Sequence, residues 1–509
     1  MALNKVMKNA GASSITQIIN IVINFILPPL IIGTYGSQIN GLVLTIKQIL
    51  SYISLVGAGI AVAITHSLYK PIAEKDYKTA SGVFNAASTM FKKAGFVFTF
   101  IALLTALIYP FFLKENLDYS LVLMLIIVMS IEGMSEFFVV GKYRSLLFAD
   151  QKSYVVSLIQ VVGLILSFIF AYILIKAEVN IVVVQFAYSL VFLVRLILLS
   201  WYVKNHYKYL DSHIDPIQTA VKKRNDAFIH QITGLVVLGS QAVVLSVFVG
   251  LEAASIYAVY NIVFSGLHSI FAQLINSVAP FLGKSQALGE SNKLKNQFNK
   301  LEFIFNLIIS FVYSVSAVMI VPFITIYVGP VSDIEYANFG VAFLFVLNSF
   351  LNSLRLPAQA IINVAGHFKE TRNRAIIEAT VCIILQLTLV KFLGIYGVLI
   401  GTAVALSWRS VDIILYSNKY IIMQESRISI VRGLKVVFIT IILFLVSYEL
   451  LEFTIVSYLD WIYWSSIHAL ISVAITLLIN LIFDKKQTKE LLTYLSKFLI
   501  RIFLKKSNS

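Results

Sequence analysis

The stretch 11–33 reads GASSITQIINIVINFILPPLIIG, and the fold of the whole chain turns on it. It runs for 23 residues without an Asp, Glu, Lys or Arg. A helix needs about 20 mostly apolar residues to cross roughly 30 Å of hydrocarbon. The apolar residues follow one another without alternating, which indicates a spanning helix and not a barrel strand. Lys5 and Lys8 flank the run, yet it is too long and too punctuated for a cleaved leader, so it is expected to stay as the first span. The polar residues within it are ordered. Ser13, Gln17, Asn20 and Asn24 fall at i, i+4, i+7 and i+11, on one face of a helix. Such a line is costly against lipid, so this face is expected to meet protein or water.

Runs of the same kind recur outward from it. Spans are predicted at roughly 11–33, 40–65, 94–112, 119–140, 154–175, 181–203, 228–249, 255–283, 303–327, 338–364, 375–390, 397–418, 436–451 and 462–483. The chain is therefore read as an all-α, polytopic membrane protein of about fourteen transmembrane helices. Composition agrees: 59% of its 509 residues are hydrophobic and 13% charged, where a soluble domain carries about 25% charge.

The net charge of +15 is a topology signal. With the N-terminus in the cytoplasm, 33 of the 40 Lys and Arg fall on inner segments, three on outer loops (Lys114, Lys176, Lys391) and four inside spans. This is the positive-inside rule. It favours an even number of spans with both termini cytoplasmic, and it accounts for the charge without nucleic acid. The single cysteine, Cys382, lies in an apolar run and permits no intrachain disulfide. No outer loop exceeds about ten residues, while the inner segments 66–93 and 204–227 are longer. The tail 488–506 reads as a basic amphipathic helix in the inner interface, with Leu491, Leu495, Phe498, Leu499 and Phe503 on one face.

The chain also repeats itself. A shift of about 215 residues superimposes spans 1–6 on spans 7–12: Asn40 falls on Ser255, Ala149-Asp150 on Ala365-Gly366, and Arg195 on Arg409. Six spans per half put both halves in the same orientation, so the repeat is parallel, about an axis along the membrane normal. The expected organisation is a six-helix lobe over 1–210, a second over 211–420, two added spans over 421–484, and a cytoplasmic basic tail over 485–509. Spans 13 and 14 show no polar pattern and read as an appendage.

Polar stripes mark the candidate site. Span 1 contributes Gln17, Asn20 and Asn24; span 8 His268 and Asn276, aligned with Asn261 and Ser265; span 10 Asn348, Asn352, Arg355 and Gln359, aligned with Asn363. Span 2 offers Lys47, Ser51 and Ser54, and span 7 His230, Thr233 and Gln241. Singly, such residues glue helices together. Together, on matching spans of both halves, they point to a shared wet cavity suited to alternating access.

The cations inside spans are Lys47, Arg195, Arg355 and Arg409, each costing about 2.5–3.5 kcal/mol at mid-helix. Arg355 and Lys47 are candidate ligands for an anion. Arg195 and Arg409 either face the cavity or snorkel to the inner end, and Arg409 can pair with Asp412 at i, i+3. Glu132 and Glu136 share a face, where two ionised carboxylates would repel. Either one is protonated, which makes them coupling candidates alongside Asp412, or they pair with Arg195. His268 is a proton relay or a satisfied buried imidazole. No metal or cofactor is called for.

Four segments carry a resemblance. They are Ser67-Leu68-Tyr69-Lys70-Pro71-Ile72-Ala73-Glu74-Lys75-Asp76-Tyr77; Tyr143-Arg144-Ser145-Leu146-Leu147-Phe148-Ala149-Asp150-Gln151-Lys152-Ser153-Tyr154; Ala365-Gly366-His367-Phe368-Lys369-Glu370-Thr371; and Gly397-Val398-Leu399-Ile400-Gly401-Thr402 with Arg409 beyond it. In this order they resemble the Wzx-type oligosaccharide flippases of the multidrug/oligosaccharidyl-lipid/polysaccharide (MOP) exporter superfamily. The resemblance covers most of 1–420. It implies two six-helix lobes in a V, a MATE/MOP-like architecture with spans 1, 2, 7 and 8 at the front. It also implies a cargo of oligosaccharide on polyprenyl diphosphate, a cationic cavity meeting the diphosphate, and a home in the bacterial plasma membrane. Membrane lipids, and a polysaccharide polymerase and glycosyltransferases of the same pathway, are the implied partners.

Four functional classes follow. A flippase breaks no bond and needs no catalytic residue, so the chain is read as a transporter for capsule, O-antigen or exopolysaccharide biosynthesis, not an enzyme. A cation-coupled multidrug exporter of the same superfamily is the alternative; such exporters commonly carry an acid in the first span, which this chain lacks. A glycosyltransferase or polymerase would need a substantial outer loop. An ATP-driven pump would need a GxxxxGK[ST] motif, and none occurs.

Overall fold

The computed structural model describes residues 2–114, 117–217, 225–329, 333–450 and 455–493. Among these residues every regular element is helical. Thirteen helical stretches are long and apolar enough to cross a membrane. The remaining expected span, 436–451, falls on a helix whose side chains beyond Leu443 lie outside the described residues. Most of the amphipathic tail at 488–506 lies outside them as well.

The chain forms two compact units. The first is Met1–Val263, Pro330–Ile334 and Ala375–Val398, and the second Phe264–Gly329, Glu335–Arg374 and Leu399–Ser509. The first begins with α1 (Ala2–Tyr35), α2 (Ser37–Ile53), α3 (Ala58–Glu74) and α4 (Tyr77–Ile108). There follow α5 (Tyr119–Ser135), α6 (Gly141–Ala149), α7 (Ser153–Lys176), α8 (Ile181–His206) and α9 (Asn225–Phe248). Next, α10 (Leu251–Ala287) runs from the first unit into the second, which holds α11 (Ser291–Val328), α12 (Phe339–Leu354) and α13 (Leu356–Ala365). Then come α14 (Phe368–Leu393) and α15 (Ile395–Ser417), shared between the units, and α16 (Arg427–Leu450) and α17 (Tyr458–Phe483) in the second.

In the first unit α1 packs on α7, α7 on α8, α8 on α5 and α5 on α4, while α2 packs on α9. Their seams hold buried apolar residues such as Leu42, Ile46, Ile64, Leu68, Phe98 and Leu125. In the second unit α11 is the hub, contacting α12, α16 and α17. Short polar residues start the helices. Asp118, Asn180 and Asn338 accept from backbone N–H groups in the first turns of α5, α8 and α12, and Ser457 with Asp460 forms a capping box on α17.

The structure corrects the expected loops. The segment 66–93 is helical apart from a tight turn. There α3 runs on to Glu74, Lys75 takes a left-handed conformation (φ 57°), and Asp76 caps α4 by accepting from the Thr79 N–H at 3.0 Å. Pro71 lies inside α3 without ending it, and the helices continue past the apolar stretch. In the same way α10 and α11 are separated only by residues 288–290.

Two long helices are interrupted at comparable places. Between α5 and α6 the backbone widens into a π-turn over Glu136–Val140. Span 10 breaks at Arg355, where Pro357 follows within the first turn of α13. The pattern-free reading of span 14 is also overturned. On α17, His468, Ser472, Thr476 and Asn480 recur every four residues and all are buried.

Candidate functional site

The first unit encloses a cavity of roughly 470 Å³ whose wall is built from α1, α2, α4, α5, α6, α7 and α8. Asn20 and Asn24 face it from α1, Asn24 being steadied by its amide donating to the Asn20 carbonyl at 2.9 Å. Lys47 enters from α2, one turn before Leu50 and Ser51. Its ammonium lies 5.7 Å from the centre of the Tyr188 ring, a cation–π distance. Arg195 enters from α8, its guanidinium 5.2 Å from the Phe192 ring centre. The Arg195 Nε is buried and has no hydrogen-bond partner among the described residues.

Two carboxylates face these cations. Glu132 on α5 lies in the electrostatic field of both Arg195 and Lys47, with Glu136 as its like-charged neighbour. Glu136 opens the π-turn and is paired with Arg144 of α6 at 2.8 Å. Glu136 and Arg144 are eight residues apart, which on a regular helix would turn them about 80° away from each other. The π-turn absorbs one residue, so the separation behaves as seven and the two side chains share a face. The helices can come this close because Gly133 has no side chain. A Cβ there would lie 2.2 Å from the Phe98 ring of α4.

Eight expected residues are thus gathered around one volume: Asn20, Asn24, Lys47, Ser51, Ser54, Glu132, Glu136 and Arg195. Four others join them that sequence reasoning did not single out: Arg144, Gln160, Gln185 and Tyr188. A signal for part of this set was present. Gln185, Tyr188, Ser189 and Arg195 lie within one helical face of α8, yet only the arginine was read from it. Arg144 had no readable signal, since its alignment depends on the π-turn. Three cations against two carboxylates make the cavity net positive when all are ionised, which suits an anionic ligand group. The four amides and the phenol supply donors and acceptors around it. Gln17 of α1 is exposed and does not line this volume.

The second unit holds the other expected residues in separate clusters. Asn352 of α12 joins His268 of α10 to Arg355. Its amide nitrogen lies 3.1 Å from His268 Nδ1, and its oxygen accepts from Arg355 Nη2 at 2.8 Å and Nε at 3.2 Å. Asn348 donates to the Leu399 carbonyl at 3.1 Å, and Gln359 donates to Asn363 at 3.0 Å. Asn276 is exposed. Arg409 is almost wholly buried and pairs with Asp412, which also binds Arg374.

The fold is MATE/MOP-like. A MATE-family multidrug resistance transporter of the MOP superfamily, solved facing inward, superposes with a TM-score of 0.68 at 13% identity, covering 78% of this chain and 94% of its own. The lipid II flippase MurJ, in an inward closed conformation, superposes with a TM-score of 0.70 at 15% identity, covering 94% of this chain and 99% of its own. A MOP-superfamily transporter from Pyrococcus furiosus, described as having a binding pocket of reverse polarity, gives a TM-score of 0.53 at 15% identity, over 81% of this chain and 95% of its own. No family model and no curated protein matches the chain in sequence. The likeness is therefore one of fold.

Proposed function

We propose that this chain is a flippase that carries oligosaccharide linked to polyprenyl diphosphate across a bacterial plasma membrane by alternating access. The observation that carries the reading is the convergence of Lys47, Arg144 and Arg195 on a cavity lined by amides. Arginine and lysine hold phosphoryl oxygens by charge-assisted hydrogen bonds. The amides of Asn20, Asn24, Gln160 and Gln185 meet sugar hydroxyls, and the prenyl tail stays in lipid. No bond is broken in the cycle, so binding residues suffice. Arg355 serves as a further cationic contact in the second unit. Both termini face the cytoplasm, the two halves 1–210 and 211–420 act as the moving lobes, and a polymerase and glycosyltransferases of one pathway supply and consume the cargo.

The test is complementation in a strain that lacks its own exporter. Lys47→Ala and Arg195→Ala, and Arg355→Ala in the second unit, should abolish surface polysaccharide while the protein remains at normal level in the membrane. Full export by all three variants sinks the reading. In proteoliposomes, an interior-negative potential should speed outward movement of the anion, with a drive of roughly 2.3 kcal/mol per charge per 100 mV.

A multidrug exporter is the second reading, favoured by the likeness to a multidrug MATE transporter. The cationic excess of the cavity weighs against it for cationic drugs. Deletion that alters drug susceptibility and leaves the polysaccharide untouched would establish it in place of the first.

A further inference from the structure

The His268–Asn352–Arg355 cluster has only one consistent hydrogen-bond polarity. A guanidinium donates and never accepts. Arg355 directs Nη2 and Nε at Asn352, at 2.8 and 3.2 Å, so the atom receiving them is the amide oxygen. The amide nitrogen then points at His268 Nδ1, 3.1 Å away, and can only donate. Nδ1 must therefore be bare, with the ring proton on Nε2. Arg355 fixes the tautomer of a histidine it does not touch. An imidazolium, with protons on both nitrogens, would turn an N–H toward the Asn352 NH₂ and leave both donors unsatisfied.

The arrangement reverses if Arg355 is drawn away. An anion that accepts from Nη2 and Nε releases the Asn352 oxygen. The amide can then rotate by a half-turn and present that oxygen to Nδ1, which takes a proton from solvent to become the donor. The anion also cancels the field of the guanidinium. The balance is one anion bound, one proton bound at Nδ1 and no covalent bond broken.

We infer that His268, Asn352 and Arg355 form a relay that couples binding of a phosphoryl anion at Arg355 to uptake of a proton at His268. The anion class rests on the proposed function, whereas the polarity of the relay does not. In transport terms one negative charge of the cargo is carried with a compensating proton, so the loaded state has one charge less than its cargo alone would give it.

The experiment is titration calorimetry on the full chain in detergent micelles. The probe is a dihexyl diphosphate diester, chosen because it has no group titrating between about pH 5 and 8, the window in which histidine does. Measuring in two non-phosphate buffers of different ionisation enthalpy counts protons. Wild type should take up a proton on binding, and its affinity should fall by as much as tenfold per pH unit as the imidazole loses its proton. His268→Asn should bind with no proton uptake and a flat pH profile. Asn352→Asp, which accepts from both neighbours at once, should hold His268 charged beforehand and also bind without uptake. Binding by wild type without uptake, or uptake that persists in both variants, overturns the relay and leaves the flippase reading intact. Absence of any binding by wild type overturns both.

Discussion

A methyl group added to Gly41 would lie 1.9 Å from the carbonyl oxygen of Leu251, so α2 and α10 touch there backbone to backbone. Beside this contact Asn40 donates to Ser255 at 2.7 Å, both buried, and Gln38 donates to Glu252 at 3.1 Å. Gly41→Ala must force the helices apart, at a cost of about 1–3 kcal/mol for overpacking. A clear drop in the unfolding temperature of the purified protein is the expected reading. Arg144→Ala should act in the opposite way on the two properties that matter. Its pair with Glu136 is partly exposed, so stability should change by no more than about 1 kcal/mol. Export should nonetheless fall strongly, because an unpaired carboxylate then faces the bound anion. A variant that is destabilised yet exports normally contradicts this. At this scale the sequence was readable wherever charge or amides broke an apolar run, as at Lys47 and Arg195. It was unreadable at Arg144, where the phase of the helix had to be known first.

At the scale of elements, polar periodicity has two causes that a sequence does not separate. Asn20 and Asn24 of the stripe on α1 line a cavity. The stripe on α17 does not: Ser472 meets Ser314 of α11 at 3.0 Å, and Asn480 accepts from Lys435 of α16 at 2.7 Å. Arg432 of α16 reaches Glu302 of α11 at 2.7 Å, both buried, and also donates to Asn299 and Gln487. The indole of Trp461 donates to the Met319 carbonyl at 2.9 Å. These two helices are therefore keyed into α11 by buried polar contacts, a tighter union than the appendage expected from sequence. Arg432→Ala strands the Glu302 carboxylate and should cost about 3–5 kcal/mol, whereas Arg432→Met with Glu302→Leu should recover much of that loss. Thermal unfolding of the three proteins, ranked against one another, decides it.

The start of α2 is held from a distance. The Ser37 N–H donates to Asp333 at 3.0 Å, and the Ser37 hydroxyl donates to the same carboxylate. Burial pushes the Asp333 carboxyl up, but the hydrogen bonds from Ser37 outweigh it and hold the group below the usual carboxylate range. A carboxyl that is harder to protonate when folded stabilises the fold fully above its unfolded value of about 3.9 and loses that contribution as pH falls through its lower folded value. Acid unfolding of Asp333→Asn should lack this component, and an unchanged acid profile would count against the contact.

For the molecule as a whole, the apolar runs stated the helical class and nearly all the spans, since crossing lipid leaves a helix few alternatives. Loop lengths were misjudged because nothing in the sequence of 66–93 says where the membrane ends and the helix goes on. The residues that touch at Gln38–Glu252 and Asn40–Ser255 are partners under the shift of about 215 residues. Truncation after 420 should then leave the repeat complete but strip the polar partners from α11. Loss of folded protein is the expected outcome, read as aggregation in size-exclusion chromatography, even though the repeat itself would be intact.

The π-turn at Glu136–Val140 has a consequence for how this helix tolerates change in length. One wide turn is a regular helix with a single residue inserted, and the flanking segments keep their phase. Deleting one residue within 137–140 should collapse the turn to an ordinary one and leave Glu136 facing Arg144. Deleting one residue within α6 instead rotates everything beyond it by about 100°. The first shortened protein should fold and reach the membrane, and the second should not. The same helix would thus hold a site that forgives a missing residue a few positions away from one that does not.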